Sequence, residues 1–149
     1  MFQTEHEMSL SFEKFLKSKF GNAYLKEQPG LFGVPDFIFY TKQQQEYSFI
    51  SFELKLKNWK RAAKQAFRYK SFSNISYVVI GSNSADSAIN NIEMFKRYNI
   101  GLASFDSNSL DFHFKPKTNS PYSENLKQKL VSKVNRSRKK SKNIKTLLG

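Results

Sequence analysis

The sequence contains no cysteine among its 149 residues, so neither a disulfide nor a thiolate metal site can form. It has two histidines, His6 and His113, which are too far apart in the chain to suggest a zinc site. No apolar run reaches the roughly 18 residues that a membrane-spanning helix needs. Residues 1–7 lack the apolar stretch of a signal peptide. We therefore expect an intracellular, cytoplasmic protein with no membrane-spanning segment.

Acidic residues are also missing from the C-terminal region. Residues 126–149 contain nine Lys or Arg and no Asp or Glu, and subtracting these nine charges from the chain's net +13 leaves +4 for residues 1–125. A basic arm of this kind is typical of a protein that binds a polyanion. Nucleic acid is the commonest such partner, ahead of an acidic membrane surface or an acidic protein. A solubilising, partly disordered terminus would have the same composition.

The apolar spacing that is present predicts an α/β domain with a mixed central sheet. The predicted elements, in chain order, are helix 4–20, strands 24–26, 36–40 and 47–56, helix 58–72, strand 76–81, helix 83–98, and strands 100–105 and 110–114. We place the main domain at residues 1–115. Residues 116–149 are predicted to be a linker and a basic tail, helical or disordered, with an amphipathic helix over 123–134.

The stretch SFELKLKNWK, residues 51–60, carries the candidate chemistry. Glu53 and Lys55 lie on one face of their strand because side chains alternate along a strand. A hairpin turn centred near Gln44 would place Asp36 across from Phe52 or Glu53. Three charged groups would then converge at one end of the hairpin.

Together, Pro35-Asp36 and Glu53-Leu54-Lys55, with sixteen residues between Asp36 and Glu53, resemble the core motif of the PD-(D/E)xK nuclease superfamily. That superfamily includes many type II restriction enzymes and archaeal Holliday-junction resolvases. The likeness covers roughly residues 4–106. It implies a restriction-endonuclease-like αβββαβ core, whose mixed sheet is flanked by helices.

The resemblance implies a metal-dependent hydrolysis of phosphodiester bonds. Asp36, Glu53 and the backbone carbonyl of Leu54 would hold Mg²⁺, or Mn²⁺ in its place. Mg²⁺ prefers oxygen ligands and keeps several waters, so two carboxylates suit it. Lys55 would contact the scissile phosphate or orient the attacking water.

Many members of the superfamily add an acid from the first helix. Glu5 is our choice because its spacing from the apolar residues places it on the core-facing side of the helix, with Glu7 and Glu13 as the alternatives. The following helix carries QAFRY, similar to a QxxxY element of several branches. By this likeness Gln65 would point to the metal site. Tyr69, one turn later, would pack or hydrogen-bond behind it.

Basic residues are expected to bind phosphates, which supply affinity without reading sequence. They form one group directly after the motif, at the same end of the fold, and another in the tail: Lys57, Lys60, Arg61, Lys64, Arg136, Arg138, Lys139, Lys140 and Lys142. The expected substrate is double-stranded or branched DNA, with RNA left open, and the protein could act as a homodimer. The rival hypotheses are a non-catalytic nucleic-acid-binding protein that retains the nuclease fold, and a basic accessory subunit.

Overall fold

The computed structural model describes residues 1–148. The α-helices are α1 (Glu5–Phe20), α2 (Trp59–Tyr69), α3 (Asp86–Asn90), α4 (Ile92–Tyr98) and α5 (Glu124–Val134), and short 3₁₀ turns occur at Ser82–Ser84 and Ile144–Thr146. The strands are β1 (Tyr24–Lys26), β2 (Phe37–Gln43), β3 (Glu46–Lys55), β4 (Ile75–Gly81), β5 (Gly101–Phe105) and β6 (Leu110–Phe114). Within residues 1–148, no helix is long and apolar enough to cross a membrane.

The six strands form one mixed sheet whose spatial order follows the chain order. Strands β1, β2 and β3 pair antiparallel, β3, β4 and β5 pair parallel, and β6 returns antiparallel. The predicted α/β class is confirmed, and so is the position of β6 at a sheet edge. The two parallel connections carry helices, as parallel strands require.

Helix α1 begins at a capping arrangement that the sequence predicts. Thr4 Oγ1 accepts a hydrogen bond from Glu7 N at 3.0 Å, and Glu7 Oε2 accepts one from Gln3 N at 3.1 Å. The buried side of the helix bears four residues spaced four apart, Met8, Phe12, Leu16 and Phe20. This stripe packs on one face of the sheet and buries the even-numbered residues of β3, including Phe52.

Helices α2 to α4 cover the opposite face of the sheet, where alanines permit close packing. Ala62 and Ala66 of α2 are fully buried against Val78 and Ile80 of β4. The odd-numbered residues of β3, including Glu53, face this side. The alternation of side chains along β3 therefore places Glu53 beneath α2.

The single helix predicted over 83–98 is wrong, because the structure breaks it at Asn91. Asn91 has φ −110° and ψ 25°, outside the helical region, and separates α3 from α4. Its side-chain Nδ2 donates to the Ser87 carbonyl at 2.8 Å. An asparagine side chain can hydrogen-bond nearby backbone groups and so compete with the helical hydrogen bonds. The spacing of apolar residues contains no information about this competition.

The C-terminal segment lies against the sheet. Helix α5, predicted from its apolar spacing, buries Leu130 and Val134, and Ile144 and Leu147 pack near α1. Lys142 N donates to the carbonyl of the last residue of α1 at 2.9 Å. The division of the chain at residue 116 stays a prediction, but the tail contributes to the buried core on both faces of the sheet.

Candidate active site

Asp36 is the residue that joins β2 to the motif on β3. Its N–H donates to the Phe52 carbonyl at 3.1 Å, and its Oδ2 accepts from Leu54 N at 2.7 Å. Asp36 therefore bonds to the residues on both sides of Glu53, as the predicted hairpin requires. The turn lies where the sequence places it, with Gln44 and Gln45 both at positive φ.

Glu53 is buried, with 4 % of its surface exposed, and the hydroxyl of Tyr69 orients it. The Tyr69 hydroxyl donates to Glu53 Oε1 at 2.6 Å and lies 3.1 Å from the Val34 carbonyl. Gly33 makes room for this ring, since a Cβ there would lie 2.8 Å from Tyr69 Cε1. The glycine, with φ +85°, therefore lets the loop before Asp36 close over Tyr69.

Burial disfavours the charged form of both carboxyl groups. Burial, followed by the neighbouring charge of Asp36, raises the pKa of Glu53 to about 8. Burial also raises the pKa of Asp36, although the Leu54 N–H bond and the charge of Lys55 oppose the shift. A bound cation would remove the penalty for ionising both groups.

Lys55 and Glu5 face each other at the edge of the carboxylate pair. Lys55 Nζ lies 3.8 Å from Glu5 Oε2, and the lysine side chain is 20 % exposed. The charge of Glu5 raises the pKa of both Asp36 and Glu53, so it acts on the site.

The expectation that Glu5 faces the core is wrong, since its side chain is 48 % exposed. It is the first residue of α1, and the buried stripe of that helix begins only at Met8. Glu7 is used in the helix cap, and Glu13 binds Tyr24 and Lys26. Of the three candidate acids, Glu5 is therefore the one that the fold leaves beside the site.

The donor set fits a hard divalent cation. Among residues 1–148, no side chain or backbone N–H donates a hydrogen bond to Asp36 Oδ1 or Glu53 Oε2. The one buried side-chain atom without a partner in this part of the chain belongs to Gln65. Each carboxylate thus keeps one oxygen without a protein donor. The described residues contain no group of three or more His, Asp or Glu that could hold a metal. Two carboxylates plus waters are nevertheless a common ligand set for Mg²⁺.

Gln65 lies one turn before Tyr69 on the same side of α2. It makes no hydrogen bond to Asp36 or Glu53, so its predicted role at the metal stays a prediction. Its Oε1 is the one buried side-chain oxygen without a partner in residues 1–148. An unpaired buried acceptor costs about 1–3 kcal/mol, which a donor from a water or ligand would offset.

The structure separates the predicted phosphate-binding residues into two places. The first group is exposed: Lys57 lies in the turn after β3, and Lys60, Arg61 and Lys64 lie on α2. The tail group, residues 136–142, is also exposed but lies near the hairpin turn, where Ser141 Oγ donates to Thr41 Oγ1 at 3.1 Å. Thr41 is five residues along the strand from Asp36, roughly 17 Å away. The tail therefore does not converge on the carboxylates.

Sequence reasoning missed Glu27. Its N–H donates to the Asp36 carbonyl at 3.1 Å, and its charge raises the pKa of Asp36. Glu27 follows the last residue of β1, which pairs with Phe37 of β2. The sequence contains a signal for this contact, because Glu27 directly follows the short strand β1 and Asp36 directly precedes β2. The signal is useful only once β1 is known to pair with β2.

No protein-family model, no curated protein and no solved structure matches this chain. The likeness to the PD-(D/E)xK nucleases therefore remains a resemblance of motif residues.

Proposed function

We propose that this chain is a metal-dependent nuclease, an endonuclease that hydrolyses the phosphodiester bonds of DNA. The observation that carries the proposal is the meeting of Asp36, Glu53 and Lys55 at one end of the β2–β3 hairpin. The backbone N–H of Leu54 and the hydroxyl of Tyr69 hold the two carboxylates in place. We further propose that the α/β fold is of the restriction-endonuclease-like type.

Asp36, Glu53 and the Leu54 carbonyl would hold Mg²⁺ or Mn²⁺, which supplies Lewis-acid polarisation of the phosphate and a more acidic water. Lys55 contributes a cation for the scissile phosphate, and Glu5 positions that ammonium from the solvent side. Gln65 Oε1, which is buried without a partner, would accept a hydrogen bond from a water or from the substrate. Tyr69 positions Glu53 and touches no substrate.

Supercoiled plasmid cleavage tests the proposal. Purified protein should nick or linearise the plasmid with Mg²⁺ or Mn²⁺ and leave it intact with EDTA. Asp36→Asn should abolish cleavage, because it removes one charged ligand of similar shape. Asp111→Asn is the matched control, since Asp111 is exposed on edge strand β6 and should leave the rate unchanged. Cleavage that persists in Asp36→Asn would contradict the assignment of the site.

A second candidate is a non-catalytic nucleic-acid-binding protein with the same fold. The observation that favours it is the burial of Glu53, which raises the pKa of this carboxyl and disfavours the ionised form that a metal would need. If this alternative holds, the protein retards plasmid in a gel but does not cut it with either metal. Linear and branched DNA should likewise stay uncut.

A further inference from the structure

The outer side of α2 forms a groove with α4. Its volume is about 670 Å³. Its apolar lining residues are Trp59, Ala63, Phe67, Met94, Tyr98 and Ile100. Its basic lining residues, all on α2, are Lys60, Lys64 and Arg68. We call this the α2–α4 groove.

The exposed aromatic residues of the protein gather at this groove. Large aromatic side chains that are more than a third exposed in residues 1–148 are Phe32, Phe67, Tyr98 and Tyr122. Phe67 contacts Tyr98 edge to face with ring centroids 5.7 Å apart, and it contacts Tyr122 at 6.4 Å. Phe32, from the loop before Asp36, lies under the Arg68 guanidinium at 5.6 Å. These rings therefore form one surface.

A buried lysine contacts three of these four aromatic residues, namely Phe67, Tyr98 and Tyr122. Lys70 is 6 % exposed, and its Nζ donates to the Tyr98 carbonyl at 2.7 Å. The same ammonium lies 5.7 Å from the Phe67 ring and 5.6 Å from the Tyr122 ring. Cation–π attraction and the hydrogen bond therefore order the cluster before any ligand binds.

The charge of the groove is of one sign. Lys60, Lys64 and Arg68 recur on one side of α2 at helical spacing, and no acidic residue lines the groove. A surface that pairs exposed aromatic rings with cations suits a ligand with both flat faces and negative charges. Single-stranded nucleic acid has this composition, because its bases stack on aromatic rings and its phosphates pair with Lys and Arg.

We infer that the α2–α4 groove binds a single strand of nucleic acid. Bases stack on Phe67 and Tyr98, and phosphates contact Lys60, Lys64 and Arg68. In duplex DNA the base faces are covered, so the groove favours a strand that is already unpaired. The inference does not depend on the nuclease proposal, since binding here needs neither metal nor the carboxylates.

The test measures fluorescence anisotropy of a labelled oligo-dT of about 12 nucleotides, within the range of such sites, on the full chain in EDTA. Phe67→Leu keeps an apolar side chain but removes the π face. It should weaken binding about 5- to 150-fold, the value of one stacked base. Phe67→Tyr should bind as the wild type does. If Phe67→Leu does not fold by circular dichroism, Tyr98→Leu carries the same prediction.

An abasic oligonucleotide of equal length separates stacking from charge. The abasic strand should bind more weakly than oligo-dT, and its affinity should be the same for the wild type and for Phe67→Leu. The groove's Trp59, the single tryptophan of the chain, should change its emission with oligo-dT. Leu10→Ala, an exposed apolar residue on α1, is the matched control and should change nothing.

The charge contribution has its own control. Lys60→Ala with Lys64→Ala should flatten the salt dependence by about 1.4 log units per log unit of salt, two single-strand contacts. Lys14→Ala with Lys17→Ala, two exposed lysines of α1, should flatten it less. Equal affinity for abasic and normal strands, no oligonucleotide binding, or tighter binding of polyglutamate than of oligo-dT would each overturn the inference. The last result would assign the groove to an acidic protein.

Discussion

Two glutamates in this molecule accept a hydrogen bond from a tyrosine, and their pKa values move in opposite directions. Tyr69 donates to Glu53 at 2.6 Å, and Tyr24 donates to Glu13 at 2.7 Å. The pKa of Glu53 rises to about 8 because the group is buried and lies near Asp36. The pKa of Glu13 is lowered, first by its hydrogen bond to the Lys26 ammonium and then by the Tyr24 hydroxyl.

The comparison separates the role of the tyrosine from the role of the surroundings. In both pairs the hydroxyl favours the charged carboxylate, so it cannot account for the difference. Glu13 has a lysine in direct contact at 2.8 Å and lies near solvent. Glu53 has a carboxylate for a neighbour, and the nearby lysine, Lys55, makes its ion pair with Glu5. Glu13 therefore has its counter-charge in direct contact, whereas no cation of residues 1–148 forms an ion pair with Glu53.

The largest expected effect comes from Glu53→Gln compared with Glu13→Gln. Glu53→Gln keeps the side-chain shape but removes a carboxylate of the proposed metal site, so metal-dependent cleavage should fall by at least two orders of magnitude. Glu13→Gln removes a carboxylate from the other tyrosine pair and should leave cleavage within about twofold. Initial rates on supercoiled plasmid decide this. Equal losses in the two variants would show that the effect is general to the fold.

The two lysines extend the comparison. Lys55→Met should lower cleavage by one to several orders of magnitude while leaving DNA binding nearly unchanged, since preorganised charge at a reacting phosphate is worth about 10²–10³ in rate. Lys26→Met should change neither property by more than about twofold. Rates and gel-shift affinities measured on the same preparations check both. A retained rate in Lys55→Met would remove that residue from the mechanism.

Stability should depend on pH in opposite ways at the two sites. In EDTA, the folded state holds the Glu53 proton up to about pH 8, whereas an ordinary glutamate loses it near 4.5. Because the unfolded state loses this proton in that range while the folded state keeps it, the free energy of unfolding falls progressively from about pH 4.5 to 8, by an amount on the order of several kcal/mol. Glu53→Gln should then be more stable than the wild type at about pH 8–9, and the difference should vanish near pH 4.

Glu13 gives the reverse sign, because its pKa is lowered in the folded state. Its contribution is present above about pH 4.5 and is lost as the pH falls through the lowered value. Glu13→Gln should cost about 0.5–1 kcal/mol at neutral pH, the usual range of a partly exposed ion pair. Urea unfolding of both variants at several pH values measures these differences. Parallel pH profiles for the two variants would contradict the comparison.

The smallest effects are expected from the tyrosine hydroxyls. Tyr69→Phe removes a bond to a buried charge worth about 1.5–3 kcal/mol, so cleavage should fall about 10- to 100-fold and shift to higher pH. Tyr24→Phe should cost under about 1 kcal/mol in unfolding free energy, because Glu13 keeps Lys26. The pH–rate profile of Tyr69→Phe is the decisive measurement, since a purely structural role would lower the rate without moving the profile.

Several elements were predictable because their signals are local. The capped helix α1 follows from Thr4, Glu7 and its apolar stripe, and the β2–β3 hairpin follows from two strands around a polar turn. The break at Asn91 was missed because apolar spacing continues across it. The exposure of Glu5 was missed because apolar periodicity shows which side of a helix is buried but not where along the helix the contact with the sheet begins. In α1 that contact begins at Met8.

The amino-acid sequence by itself determined the α/β class, the hairpin and the shared face of Glu53 and Lys55, since these depend on strand alternation and on contacts close in the chain. Only the tertiary structure decided which acid of α1 stands beside the site and which tyrosine holds Glu53. It also brought Phe32, Phe67, Tyr98 and Tyr122 together from four parts of the chain. Burial, and with it the direction of a pKa shift, depends on residues distant in sequence. Local patterns therefore predicted that Asp36, Glu53 and Lys55 meet at one end of the hairpin but not the electrostatics of these groups.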